Sequence, residues 1–194
     1  MIVLLAGPVG VGKTTVAERV AGLARRQGLK CAGLLSPALK DGCGQKVGIW
    51  GADVATSARR LLARTDRDLG GPAVGIYSFD AQALDWAVAV VDEALGAADL
   101  VFVDEIGKLE LWRDEGLAPV LSRLALGAPG HAVVLVRESL LAELQARLET
   151  AAPTLFQVTE ANRDEVPGRV LAALWPGDEN QSEPAPAGNR KMEV

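Results

Sequence analysis

The chain of 194 residues carries only two cysteines, Cys31 and Cys43, and one histidine, His131. That inventory cannot assemble a four-ligand zinc site unaided, and it lacks the paired spacing of a disulfide framework. Both thiols are expected to stay reduced. Net positive charge is absent too: the formal charge is −5 and the pI near 5.0, which removes any global attraction to nucleic acid or an anionic membrane. No apolar run is long enough to span a bilayer. The opening "MIVLLA" is six residues, has no basic segment and meets a glycine-rich loop, so it reads as neither a signal peptide nor a membrane helix. A cytoplasmic protein is expected. Aromatic residues make up only 4%, so Trp50, Trp86, Trp112 and Trp175 are too sparse to form a base-stacking platform and are expected to pack. His131, beside Gly130, is expected in a loop.

What the chain does have is apolar material: 49% of its residues are hydrophobic, enough for one sizeable core at this length. Short β-branched runs alternate with amphipathic stretches, the pattern of a three-layer α/β fold with a mostly parallel sheet and helices on both faces. Strands are expected at 3–6, 30–36, 99–105 ("DLVFVDE"), 132–136 and 154–158, and helices over 14–26, 80–96, 115–126, 139–149 and 164–174. In the middle third, "QKVGIWG" and "PAVGIYSFD" read as strands flanking a helical "DVATSARRLLART". Arg59, Arg60, Arg64 and Arg67 would then form a solvated basic face or a phosphate clamp. The core domain is expected to cover 1–175. From 176 to 194 the composition is rich in Pro, Gly and polar residues without periodicity, as in a disordered tail.

The chemistry concentrates in two places. The first is "GPVGVGKTT", made of Gly7, Pro8, Val9, Gly10, Val11, Gly12, Lys13, Thr14 and Thr15, which satisfies the phosphate-loop (Walker A) spacing. It follows a buried strand and opens an amphipathic helix, the context that spacing requires. Glycines let backbone N–H groups turn inward, the helix amino terminus adds partial positive charge, and Lys13 supplies a full charge for the β- and γ-phosphates. Thr14 offers its hydroxyl to Mg²⁺. Thr15 can reach the α-phosphate or cap the helix.

The second is "LVFVDE", a Walker B-like run ending in two acids. Asp104 closes a buried strand where a carboxylate can hold the shell of a magnesium ion. Glu105 follows directly, and strand alternation is expected to turn it away from Asp104 while keeping it at the nucleotide edge, where it can orient and deprotonate water. Lys108 and Arg137 are weaker candidates for neutralising charge on the γ-phosphate; each can equally be a solvated cation.

Together, "GPVGVGKTT", "VFVDEIGKLEL" and "VTEANRDEVPGRVL" make the chain resemble the small P-loop nucleoside-triphosphatase family first described from thermophiles, which includes the cancer-related nucleoside-triphosphatase. The resemblance covers roughly residues 1–175. It implies a one-domain RecA-like fold and Mg²⁺-dependent hydrolysis of ATP, GTP and other nucleoside triphosphates with little base selectivity. It also implies phosphate binding by Gly7 through Thr15, metal support by Asp104 and a catalytic carboxylate at Glu105. Two alternatives stay open: a nucleotide or nucleoside kinase, which needs an acceptor pocket, and a nucleotide-binding adapter of cofactor biosynthesis. The absence of an Asn-Lys-x-Asp run weighs against a guanine-specific switch.

Overall fold

A computed structural model describes residues 1–127 and 130–176; the expected tail lies outside the described residues apart from Pro176. In chain order the elements are β1 (Ile2–Gly7), α1 (Lys13–Arg26), β2 (Cys31–Leu35), β3 (Ala38–Lys40), β4 (Lys46–Asp53), β5 (Arg59–Arg64), β6 (Ala73–Val74) and β7 (Tyr77–Phe79). Then follow α2 (Ala81–Ala97), β8 (Leu100–Ile106), α3 (Lys108–Arg113), α4 (Ala118–Ala125), β9 (His131–Arg137), α5 (Leu141–Arg147), β10 (Thr154–Gln157) and α6 (Val166–Leu174).

One sheet runs through the molecule in the order β10-β1-β9-β8-β2-β4-β5-β7-β6, with β3 paired to β4. From β10 to β2 every pairing is parallel, and the apolar runs of β1, β8 and β9 are buried on both faces, as such strands must be. Period-two alternation sends Val3 and Leu5 to a core shared with Val16, Val20, Val166 and Val170 of α1 and α6. Leu4 and Ala6 face the opposite core, shared with Val91, Val120, Leu121 and Leu144 of α2, α4 and α5. These are the three layers of an α/β fold. No helix among the described residues is long and apolar enough to cross a membrane.

Beyond β2 the sheet becomes antiparallel, and here the sequence reading needs correction. The expected helix over 53–65 is instead a turn followed by β5, which pairs antiparallel with β4. Asp53 decides this: its carboxylate accepts the N–H groups of Ala55 and Thr56, and Ser57 takes a left-handed φ of 63°, so the chain reverses before a helix can start. Arg60 consequently lies over the Trp86 ring, 5.3 Å from its centroid, and Arg64 forks onto Asp66, so neither sits on a helical face. "PAVGIYSFD" is likewise a hairpin of β6 and β7 turning at Gly75 and Ile76.

Smaller differences follow local chemistry. The helix expected from 115 begins at Ala118, and a separate short helix, α3, carries the "KLEL" of the acidic motif. His131 opens β9 and meets Trp175 edge-on at 4.6 Å, while Trp112 is 59% exposed rather than packed. Asp80 caps α2 by accepting the Ala83 N–H, and both cysteines are free, Cys31 buried and Cys43 exposed.

Candidate active site

The loop between β1 and α1 owes its shape to its glycines. A side chain at Gly7 would place Cβ 2.5 Å from the backbone oxygen of Val158, and Gly12 turns into the helix at a φ of 103°, a conformation L-residues rarely adopt. The loop folds back over Lys13, whose Nζ donates to the carbonyls of Gly7 and Pro8 at 2.9 Å each. Partial burial lowers the Lys13 pKa, while Asp104 and Glu105 oppose the shift. Val11 is buried against the core, so it anchors the loop; Val9 is exposed.

Asp104 is buried where β8 ends beside the start of α1. Its Oδ2 accepts the Thr14 hydroxyl at 2.8 Å and the Ser36 N–H at 3.0 Å, and Oδ1 accepts the Glu105 N–H at 2.7 Å. Burial, and after it the charge of Glu105, pushes its pKa well above the ordinary carboxylate range.

Glu105 is not turned by simple strand alternation. It has a left-handed φ of 64°, and the pairing of β8 with β9 slips between Val103 and Ile106. Strain of this kind persists only where its surroundings hold it. Here two cations hold the carboxylate: Lys46 Nζ stands 3.4 Å from Oε1 and Arg137 3.5 Å from Oε2. Lys46 was missed in the sequence because nothing local distinguishes a lysine at the start of β4; only the antiparallel pairing of β4 with β2, next to β8, brings it there.

The structure thus gathers Gly10, Gly12, Lys13, Thr14, Thr15, Asp104, Glu105 and Arg137 around one cleft of about 450 Å³, with Lys40 and Lys46 added from the antiparallel strands. Its four lysine and arginine side chains suit a polyanion. Lys108 is not part of this lining; its ammonium lies over Trp112, 4.6 Å from the ring centroid. The expected Mg²⁺ pair, Thr14 and Asp104, offers only oxygen donors, which fits a hard cation. No cluster of three or more His, Cys, Asp or Glu occurs among the described residues.

After β10, Asn162 accepts the Thr159 N–H and donates to the Gln157 carbonyl, shaping the turn that lays Arg163 against Gly12. Asp164 pairs with Arg19 of α1. The late motif therefore lies against the phosphate loop and the helix that follows it.

The chain has relatives among known proteins. A family described as NTPase matches residues 2–171. The chain belongs to this nucleoside-triphosphatase family. It is 33% identical over 171 residues to the nucleoside-triphosphatase THEP1 of Methanopyrus kandleri, covering 87% of this chain and 92% of that one. The Thermofilum pendens protein of the same description is 34% identical over 175 residues, covering 88% and 95%. Among solved structures, THEP1 from Aquifex aeolicus superimposes with a TM-score of 0.69 at 20% identity, covering 90% of this chain and 99% of that one. A human cancer-related nucleoside triphosphatase does so with 0.67 at 25%, covering 90% and 97%. Membership in the NTPase family makes the chain a hydrolase of nucleoside triphosphates.

Proposed function

We propose that the protein is a Mg²⁺-dependent nucleoside-triphosphatase of low base selectivity, acting in the cytoplasm on ATP, GTP and other nucleoside triphosphates, with Glu105 as the catalytic carboxylate. The observation that carries this reading is the Glu105 side chain, held in a left-handed bulge between Lys46 and Arg137 at the mouth of the phosphate loop. The loop N–H groups from Gly7 to Thr15 and the ammonium of Lys13 bind the phosphates, exchanging the Lys13 contacts to Gly7 and Pro8 for phosphate oxygens. Thr14 and Asp104 would hold magnesium, which would supply positive charge against the bound phosphates.

Glu105 orients a water and takes its proton as the water oxygen bonds to the γ-phosphorus. The bond from phosphorus to the β–γ bridging oxygen breaks, and the electron pair leaves with the nucleoside diphosphate. Arg137 and Lys46, already beside the carboxylate, stabilise the charge that develops on the γ-phosphoryl oxygens.

The test is Glu105→Gln, assayed for phosphate release from ATP, GTP, CTP and UTP with and without Mg²⁺. Release should fall by about a hundredfold or more for every base while nucleotide still binds. Unchanged release with binding intact would remove Glu105 from the reaction.

A further inference from the structure

Behind Glu105 the cleft continues into a second cavity of about 340 Å³, within the size range of small-molecule sites. Ser36, Asp104, Glu105 and Arg137 line both spaces, so whatever fills the second cavity meets the groups placed at the γ-phosphate. Its remaining wall is largely apolar: Leu34, Ile49, Leu62, Phe79, Leu84 and Leu117 contribute to it. Ile49, Leu62 and Phe79 belong to the antiparallel half of the sheet, which therefore encloses a room instead of merely extending an edge.

The wall shared by the two spaces also holds a polar group without a partner. Ser36 is only 3% exposed, yet its hydroxyl makes no hydrogen bond among the described residues. Leaving such a group unpaired is costly, and a largely apolar room whose wall also carries this hydroxyl and the carboxylates of Asp104, Glu105 and Glu110 suits a ligand with an apolar body and a polar end. The cations of the lining are both engaged, Lys108 over Trp112 and Arg137 with Glu105, so the room offers no unengaged charge for a second phosphate.

We propose that this cavity is the site of a phosphoryl acceptor, an uncharged alcohol with an apolar body whose hydroxyl takes the place of water beside Glu105. This rests on Glu105 being the base at the γ-phosphate. The alcohol oxygen bonds to the γ-phosphorus, its proton passes to the Glu105 carboxylate, and the bond to the β–γ bridging oxygen breaks with the pair leaving on the nucleoside diphosphate. The product is a phosphate monoester. Hydrolysis is the same displacement with water occupying the room.

The experiment supplies γ-labelled ATP and Mg²⁺ with thymidine, adenosine or benzyl alcohol as probes, and separates inorganic phosphate from labelled monoester. Label is expected in the monoester of at least one probe at the expense of inorganic phosphate. Ala87→Leu, which fills the wall from α2, should cut transfer by about tenfold, with probe-free phosphate release within about twofold of wild type. Ile76→Asp puts a charge on the rim at a residue 72% exposed, so it leaves folding intact and should also reduce transfer. Label confined to inorganic phosphate with all three probes, or transfer undiminished by both substitutions, would overturn the acceptor site. A Glu105→Gln control run without probe separates the two failures: persistent release there indicts the hydrolytic role of Glu105, while the Ala87 and Ile76 variants still judge the cavity.

Discussion

At the residue scale the active edge stores two unfavourable arrangements close together. Glu105 is held in a left-handed backbone conformation, and five residues later Glu110 is buried with its carboxylate accepting N–H groups from Gly107 and Leu117. Burial pushes the Glu110 pKa up to about 7, with those backbone donors only partly offsetting it and the charge of Glu105 adding to it. The folded state therefore binds this proton more tightly than the unfolded chain, whose ordinary value is 4.5. Its contribution to stability is complete below the unfolded value and is lost as pH rises through the folded one. Glu110→Gln removes the titration and keeps the shape. The stability of wild type relative to Glu110→Gln should fall by on the order of 2 kcal/mol between about pH 5 and about pH 8. Urea unfolding of both proteins at the two pH values measures this; a difference independent of pH would show that Glu110 does not carry a raised pKa.

At the element scale, β1 and the loop after it are fixed by close contact with β10 and its continuation. Val158 donates its N–H to Ala6 and presents its carbonyl to the space where a Gly7 side chain would lie. Gly7→Ala forces that backbone apart, because neither partner is the flexible end of a side chain. It should destabilise the fold by about 1–3 kcal/mol and weaken nucleotide binding more than an alanine elsewhere in β1 would. Thermal unfolding with and without nucleotide checks this, and a variant with wild-type stability and affinity would contradict it.

The same elements show what was legible beforehand. α1 and α2 could be read from their helical periodicity, and β1, β8 and β9 from short continuous apolar runs bounded by glycine or charged residues. The phosphate loop and the Asp104–Glu105 pair followed from local motifs. β5 could not be read, since "ARRLLAR" has helical composition and its state is set by the Asp53 turn and by pairing with β4. Lys46 depends on the placing of β4 beside β2, the orientation of Glu105 on a bulge, and the second cavity in part on the misread β5, so they became visible only when strands distant in sequence were brought together.

At the scale of the whole molecule, the sheet joins two halves with different work. The parallel half supplies Lys13, Asp104 and Arg137 from the carboxyl ends of its strands or the helix after them, the usual place for ligands in such sheets. The antiparallel half supplies Lys40 and Lys46, which are joined to the phosphate cleft through side chains rather than through the loop. Nucleotide binding must therefore stabilise the two halves by separable routes, because a ligand protects those openings that would break its contacts. With Mg²⁺ and a nonhydrolysable triphosphate, amide hydrogen exchange should slow both in the first turn of α1 and along β4. Lys46→Ala removes the lysine that links β4 to Glu105 and the cleft. In that variant the protection of α1 should persist while the added protection of β4 disappears. Loss of protection in both halves together would mean that Lys46 supports nucleotide affinity as a whole, and undiminished protection of β4 would mean that the antiparallel half is coupled to the ligand through its backbone pairing with β2.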